Sequence, residues 1–155
     1  MQAFDISPDK IRLIALDLDD TTLSKDGTLS EYNKSALVSA IKAGIEIVVA
    51  SGRNFTSLPE CVTAIPGIRY AVTSNGAAVY DVESGKRICG FFLPQSGIDA
   101  ILEAVRSRPG LCLETVVDGT AYCDSRYAQN PLAYGPSGVS PHIADYIRQT
   151  RTLVD

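Results

Sequence analysis

The 155-residue sequence contains no tryptophan, a single histidine and a single methionine, and it has no excess of basic residues. Fourteen lysines and arginines stand against eighteen acidic residues, which gives a net charge of −4. Nucleic acids and anionic membranes are bound largely through positive charge, so neither is an expected partner. No apolar run approaches the roughly eighteen residues that are needed to span a bilayer.

The sequence also lacks a C-x-x-C pair, and with one histidine it cannot assemble a zinc site of the usual spacing. The first ten residues show no basic segment followed by an apolar stretch, which is the pattern of a secretory signal. We therefore expect a cytoplasmic protein with reduced, mostly buried thiols. The four cysteines are Cys61, Cys89, Cys112 and Cys123.

What the sequence does contain is an alternation of short apolar runs with helical patterns. The first run is apolar on both faces from Leu13 onward, which predicts a strand covered on both sides. Ser30 is placed to cap the first helix, and Gly44 to end it. Strands are predicted over residues 11–16, 45–50 and 70–73, and helices over 30–43 and 56–65. This order predicts an α/β fold with a Rossmann-like parallel sheet.

After residue 76 the pattern changes to hairpins and amphipathic helices. Strands are predicted at 77–80, 87–93, 111–117 and 120–123, and helices through 98–105 and 143–154. We place a domain boundary in the turn of the first hairpin. The expected division is a core with three strands over residues 1–84 and a second α/β domain over 85–155.

Three polar clusters begin where the three predicted core strands end. In doubly wound sheets the ligand lies beyond the carboxyl ends of the strands, so we expect the clusters to form one site. The clusters are Asp17-Leu18-Asp19-Asp20-Thr21, Ser51-Gly52-Arg53 and Ser74-Asn75-Gly76.

The carboxylates of the first cluster predict a cation site. Two carboxylates a few ångströms apart repel by about 4 kcal/mol at an effective dielectric of 20, which favours binding of a cation. Oxygen ligands favour magnesium over softer metals. A phosphoryl group on the same metal would meet Asp17 as a nucleophile. Asp19 could then protonate the leaving oxygen as general acid and later activate water as general base.

The other two clusters predict contacts to the substrate. Ser51 offers a hydroxyl and Gly52 an exposed backbone N–H, which together suit a phosphoryl oxygen. Arg53 can orient Asp19 or contact the phosphate. Asn75 can donate to the substrate or order the loop after the first strand.

The segments ALDLDDTTL, VVASGR and TSNGAAVYD resemble motifs of the haloacid dehalogenase superfamily, in particular its Cof-type phosphatases with a large α/β cap. The first motif of that family, D-x-D-x-T, is matched by Asp17, Asp19 and Thr21. The resemblance implies an aspartyl-phosphate on Asp17 and phosphate contact by Ser51. It also implies magnesium held by the Asp17 carboxylate and the backbone carbonyl of Asp19, and a partial cap over residues 85–155.

The sequence departs from this family in two motifs. The family uses a lysine beside the phospho-aspartate and a G-D-x-x-N-D segment, whereas the only lysine after Gly76 is Lys86. Two further core strands of the family would pair on the open side of the Leu13–Leu16 strand. We therefore expect either the N-terminal part of a longer polypeptide or a shortened relative that self-associates through this open edge.

The expected function is a magnesium-dependent phosphatase of a small phosphorylated metabolite, such as a sugar phosphate. A truncated, catalytically inactive binding or regulatory module is the alternative, which the two absent motifs favour. A receiver-like phosphoacceptor would need an aspartate after the third strand, where the sequence has Ser74-Asn75.

Overall fold

The computed structural model describes residues 10–108, 111, 113–123 and 151–153. These residues divide into two compact units, one within Met1–Arg53 and Leu58–Cys89 and the other within Asn54–Ser57 and Gly90–Asp155. The sequence placed the boundary at 84/85. In the structure the later change of unit falls at Cys89 and Gly90, and the short segment 54–57 packs with the second unit.

The first unit is built on a five-stranded sheet in the order β1-β2-β3-β4-β5. The pairs β1–β2 and β2–β3 are parallel, as the sequence predicts, and β3–β4 is antiparallel. The predicted hairpin after residue 76 therefore adds two strands to the three expected in the core. The strands are β1 Leu13–Leu16, β2 Glu46–Ala50, β3 Tyr70–Thr73, β4 Ala78–Asp81 and β5 Arg87–Gly90.

Helix α1, Glu31–Lys42, connects β1 to β2 and lies within the predicted range 30–43, with Ser30 and Ala43 as its caps. The Ser30 side chain accepts a hydrogen bond from the Asn33 N–H at 3.1 Å, so it caps the helix. Gly44 follows with φ +82, a conformation that glycine adopts without strain. The helix predicted over 56–65 is shorter: a 3-10 turn at Phe55–Ser57 precedes α2, Glu60–Thr63, whose N-cap is Pro59.

The core of the first unit includes two side chains of β2, the strand between β1 and β3. Ile47 and Val49 of β2 are fully buried, and burying each such side chain contributes about 1.5–3 kcal/mol. The prediction that β1 is covered on both faces is wrong. Leu13 is 54% exposed and Ala15 is also exposed, because none of the described residues covers that face of β1.

The second unit contains helix α3, Gln95–Ser107, and a sheet in the order β6-β7-β8. Asp118 and Gly119 form the predicted tight turn between antiparallel strands, both with positive φ (48° and 83°). β8 runs parallel to β7 at residues where the sequence predicted the end of a helix. The other residues of that predicted helix lie outside the described part of the chain. The strands are β6 Glu114–Val117, β7 Thr120–Cys123 and β8 Arg151–Leu153.

Two of the three cysteines in the described part of the chain are exposed. Cys61 and Cys89 are exposed, so the prediction of mostly buried thiols is wrong for these two, whereas Cys123 is buried. Cys112 lies outside the described residues.

No helix in the described part has the length and apolar character that a membrane crossing requires.

Candidate active site

The carboxyl ends of β1, β2 and β3 lie at one edge of the sheet because the three strands are parallel. Leu16 is opposite Val49, and Ala50 is opposite Val72. Each strand therefore ends within one residue of its neighbour in register. The loops that carry the three predicted clusters leave the sheet side by side.

The loop after β1 holds Asp17 through two threonines. The Thr21 hydroxyl donates to Asp17 Oδ2 at 2.7 Å, and the Thr22 hydroxyl donates to the Asp17 backbone carbonyl at 2.6 Å. Leu18 is fully buried beneath the loop, and its carbonyl accepts from the Leu23 N–H at 2.8 Å, which closes the turn. The Asp17 carboxylate is thus exposed but oriented.

Sequence reasoning assigned no role to Thr22, and the structure supplies one. Thr22 is 7% exposed, and its carbonyl accepts from the Asn33 side chain at 2.9 Å. This bond ties the Asp17 loop to α1. The partner lies eleven residues away, so no local pattern could have revealed it.

Asp19 forms an ion pair with Arg53 that joins the first loop to the second. Arg53 Nε donates to Asp19 Oδ2 at 2.9 Å, and Arg53 Nη2 donates to Asp19 Oδ1 at 2.6 Å. This bidentate geometry is the strong form of an arginine–carboxylate contact. The side chains are 16% and 54% exposed, so the pair lies at the surface of the unit. Arg53 thus contacts Asp19, as one of the two roles predicted for it requires.

The loop after β2 is fixed by its neighbour after β3. Ser51 is 7% exposed, its hydroxyl accepts from the Arg53 N–H at 3.2 Å, and its N–H donates to the Val72 carbonyl at 3.0 Å. A Cβ built on Gly52 would lie 2.8 Å from Asn75 Oδ1. A side chain at position 52 would therefore displace Asn75.

The turn after β3 has an unusual backbone, since Ser74, Asn75 and Gly76 all have positive φ (51°, 56° and 92°). The Ser74 N–H donates to the Arg53 carbonyl at 2.8 Å, which brings Asn75 beside Gly52. Asparagine and glycine tolerate this region best. An open pocket of about 250 Å³ lies here, lined by Ala50, Ser51, Gly52, Val72, Asn75 and Gly76.

The structure thus brings together Asp19 with Arg53, and Ser51 and Gly52 with Asn75. Asp17 and Arg53 do not line the pocket. Asp17 lies in the adjoining loop, and its hydrogen bonds are made within that loop.

The described residues contain no group of three or more histidine, cysteine or acidic side chains placed to hold a metal ion. Within this part of the chain, Asp17 Oδ1 makes no hydrogen bond, whereas both carboxylate oxygens of Asp19 are engaged by Arg53. Magnesium keeps several waters and accepts one or two protein carboxylates. The Asp17 carboxylate with a backbone carbonyl of the same loop is a donor set of that kind.

Comparison with known proteins gives a consistent result. Residues 14–150 match the family model of haloacid dehalogenase-like hydrolases. A putative phosphatase of Buchnera aphidicola is 36% identical over 70 residues, which cover 45% of this chain and 26% of the relative. The 5-amino-6-(5-phospho-D-ribitylamino)uracil phosphatase of Bacillus subtilis is 30% identical over 71 residues, covering 46% of this chain and 28% of the relative.

Solved structures agree in fold. A haloacid dehalogenase-like hydrolase from B. subtilis superposes with a TM-score of 0.71 at 22% identity, covering 93% of this chain and 54% of the other. A subclass IIB sugar phosphatase superposes with a TM-score of 0.62 at 20% identity, covering 73% and 44%. The chain spans only about a quarter of the length of the two curated relatives named above.

Proposed function

We propose that this chain, which belongs to the haloacid dehalogenase-like hydrolase family, carries the nucleophile and the phosphate-binding loops of a phosphatase. The observation that supports this most directly is the meeting of three loops at one sheet edge, through the Asp19–Arg53 and Gly52–Asn75 contacts. The substrate class we propose is a small phosphorylated metabolite, such as a sugar phosphate.

In the proposed first step, an Asp17 carboxylate oxygen attacks phosphorus. The bond between phosphorus and the ester oxygen breaks, and Asp19 transfers a proton to the leaving alcohol. Thr21 holds Asp17 Oδ2 at 2.7 Å, which leaves Oδ1 as the attacking atom. The product on the protein is an aspartyl-phosphate.

In the second step, the Asp19 carboxylate takes a proton from water, and the resulting oxygen attacks phosphorus. The acyl phosphate bond breaks, which releases inorganic phosphate and restores Asp17. In the structure both Asp19 oxygens accept hydrogen bonds from Arg53, which orients the carboxylate. To act as the acid in the first step, Asp19 must carry a proton on one oxygen, and that proton replaces one of the hydrogen bonds from Arg53.

We assign the phosphoryl group to the pocket beside Asn75. The Ser51 hydroxyl and the Gly52 N–H would donate to its oxygens, and the Asn75 side chain would donate from the neighbouring turn. The close approach of Asn75 to Gly52 keeps these donors on one wall of the pocket. In this assignment Arg53 contributes by orienting Asp19 rather than by binding phosphate.

Magnesium is the cofactor that we propose, with the Asp17 carboxylate and the Asp19 backbone carbonyl as its protein ligands in this part of the chain. When bound, it would offset the negative charge of the phosphoryl oxygens. Two oxygen ligands leave further positions for water.

The test is phosphate release from a panel of sugar phosphates and other phosphorylated metabolites, with and without magnesium. Asp17→Asn preserves the size of the side chain but removes the nucleophile, so we expect turnover to fall to background. Equal turnover by the wild type and Asp17→Asn would overturn the proposal. Binding of orthovanadate without turnover by the wild type would instead favour the alternative of a non-catalytic module, in which case Asp17 has no chemical role.

A further inference from the structure

We propose that Asn33 is a positioning residue for Asp17, to which it is linked through Thr22. Asn33 lies in the first turn of α1, and its side-chain amide donates to the loop after β1. All three residues belong to the first unit of the structure. The importance of Asn33 for turnover rests on the proposed function of Asp17.

The side chain of Asn33 holds the peptide unit between Thr22 and Leu23. Asn33 Nδ2 donates to the Thr22 carbonyl at 2.9 Å, and the Leu23 N–H donates to the Leu18 carbonyl at 2.8 Å. A peptide unit is planar, so its carbonyl and its N–H turn together. This unit is therefore held at both ends, at one by α1 and at the other by the fully buried residue Leu18.

Thr22 in turn holds the main chain of Asp17. The Thr22 hydroxyl donates to the Asp17 carbonyl at 2.6 Å, and the residue is 7% exposed. A threonine side chain has few rotamers, so the direction of its hydroxyl depends on the backbone that carries it. Loss of the Asn33 bond frees that backbone, and the hydroxyl is then no longer held against Asp17.

Asp17 is thus oriented at two points, its carbonyl by Thr22 and its Oδ2 by the Thr21 hydroxyl at 2.7 Å. The residue is exposed, so hydrogen bonds rather than packing must set its direction. A misplacement of a reacting group by about 1 Å can cost about 100-fold in rate. The pocket assigned to phosphate is lined from the loops after β2 and β3, so Asn33 should affect kcat rather than KM.

The experiment compares Asn33→Ala and Asn33→Asp with the wild type by NMR on the full chain. Alanine removes the donor, whereas aspartate sets an acceptor against the Thr22 carbonyl and still suits the first turn of a helix. In both variants the Leu23 N–H should exchange about five- to tenfold faster, the factor for loss of one hydrogen bond. The carbonyl carbon shift of Asp17 should move in the same direction as in Thr22→Val, which removes the bond to that carbonyl.

Ser39→Ala is the matched control, because its hydroxyl donates to the Ser35 carbonyl within α1. It should change neither signal. If Leu23 exchanges faster but the Asp17 carbonyl shift stays at its wild-type value, Asn33 fixes only Leu23 and the proposal is wrong. Unchanged exchange at Leu23 would also overturn it. Should the alanine variant not fold, the aspartate variant gives the same two signals.

Phosphate release then tests the effect on turnover. Asn33→Ala should lower kcat by about tenfold and leave KM near the wild-type value. An unchanged kcat in a variant that shifts the Asp17 carbonyl signal would show that this contact does not position the nucleophile. Both NMR signals are measured without substrate, so failure of the wild type to release phosphate would overturn the proposed function and still leave the link from Asn33 to Asp17 testable.

Discussion

Both carboxylate oxygens of Asp19 accept hydrogen bonds from the guanidinium of Arg53, at 2.6 and 2.9 Å. The two residues lie thirty-four positions apart in the chain, and this pair fixes the loop after β1 to the loop after β2. A planar fork is required for such a contact, and lysine cannot provide one.

Replacing Arg53 by lysine should therefore lower kcat while leaving the charge unchanged. We expect a decrease of about 10- to 100-fold, since Asp19 loses its fixed orientation. Steady-state phosphate release measures this. Arg106→Lys, on exposed α3, is the matched control and should retain full activity. An unchanged kcat in Arg53→Lys would show that the ion pair has no part in turnover.

Thr22→Val should destabilise the fold by removing the hydroxyl that holds the Asp17 carbonyl. For this largely buried group we expect a loss of about 1–2 kcal/mol in the free energy of unfolding. Urea denaturation followed by circular dichroism measures the loss. The control is Thr28→Val, whose hydroxyl bonds the exposed Asp26. Equal losses in the two variants would contradict the structural role given to Thr22.

Gly52→Ala should disturb the pocket, because its Cβ would lie 2.8 Å from Asn75 Oδ1. We expect weaker phosphate binding by calorimetry and reduced stability, with part of the stability restored in the double variant with Asn75→Ala. Gly97→Ala is the control, since its Cβ meets only Pro94 at ordinary contact distance. That change in α3 should stabilise the protein by about 0.5–1 kcal/mol. Additive effects of Gly52→Ala and Asn75→Ala would refute the predicted clash.

The pKa of Asp81 is held below its ordinary value by hydrogen bonds from the Ser84 N–H and then from the Ser84 hydroxyl. A carboxyl group with a lowered pKa in the folded state contributes stability above its unfolded pKa, and this contribution is lost as the pH falls through the folded pKa. Ser84→Ala should raise the pKa of Asp81 toward the ordinary value, measured by NMR titration of its carboxyl carbon. An unchanged titration midpoint would show that the Ser84 hydroxyl does not contribute to the lowered pKa.

Local signals account for what the sequence predicted well. Ser30 and Gly44 mark the ends of α1 through chemistry that acts within four residues. Asp118-Gly119 marks a tight turn in the same way. The sequence also predicted that Asp19 and Arg53 lie in one site, because the carboxyl ends of parallel strands lie at the same edge of a sheet.

Features that depend on distant partners could not be predicted. Asn54 bonds Gly119, which lies sixty-five positions away, so no local pattern reveals this contact. The exposure of Leu13 was missed because an apolar strand does not reveal which residues cover it. At Arg151–Leu153 pairing with β7 overrides the apolar spacing that predicted a helix.

The two outer strands of the five-stranded sheet differ in how they would meet another polypeptide. β5 begins at Arg87, directly after Lys86, and charge at a sheet border discourages lateral growth. β1 carries no charged side chain over its four residues, and no described strand pairs with its outer side. A strand of another polypeptide should therefore add to β1 rather than to β5. Leu13→Lys would place a charge on β1 and should oppose fibril-like stacking when the protein is concentrated.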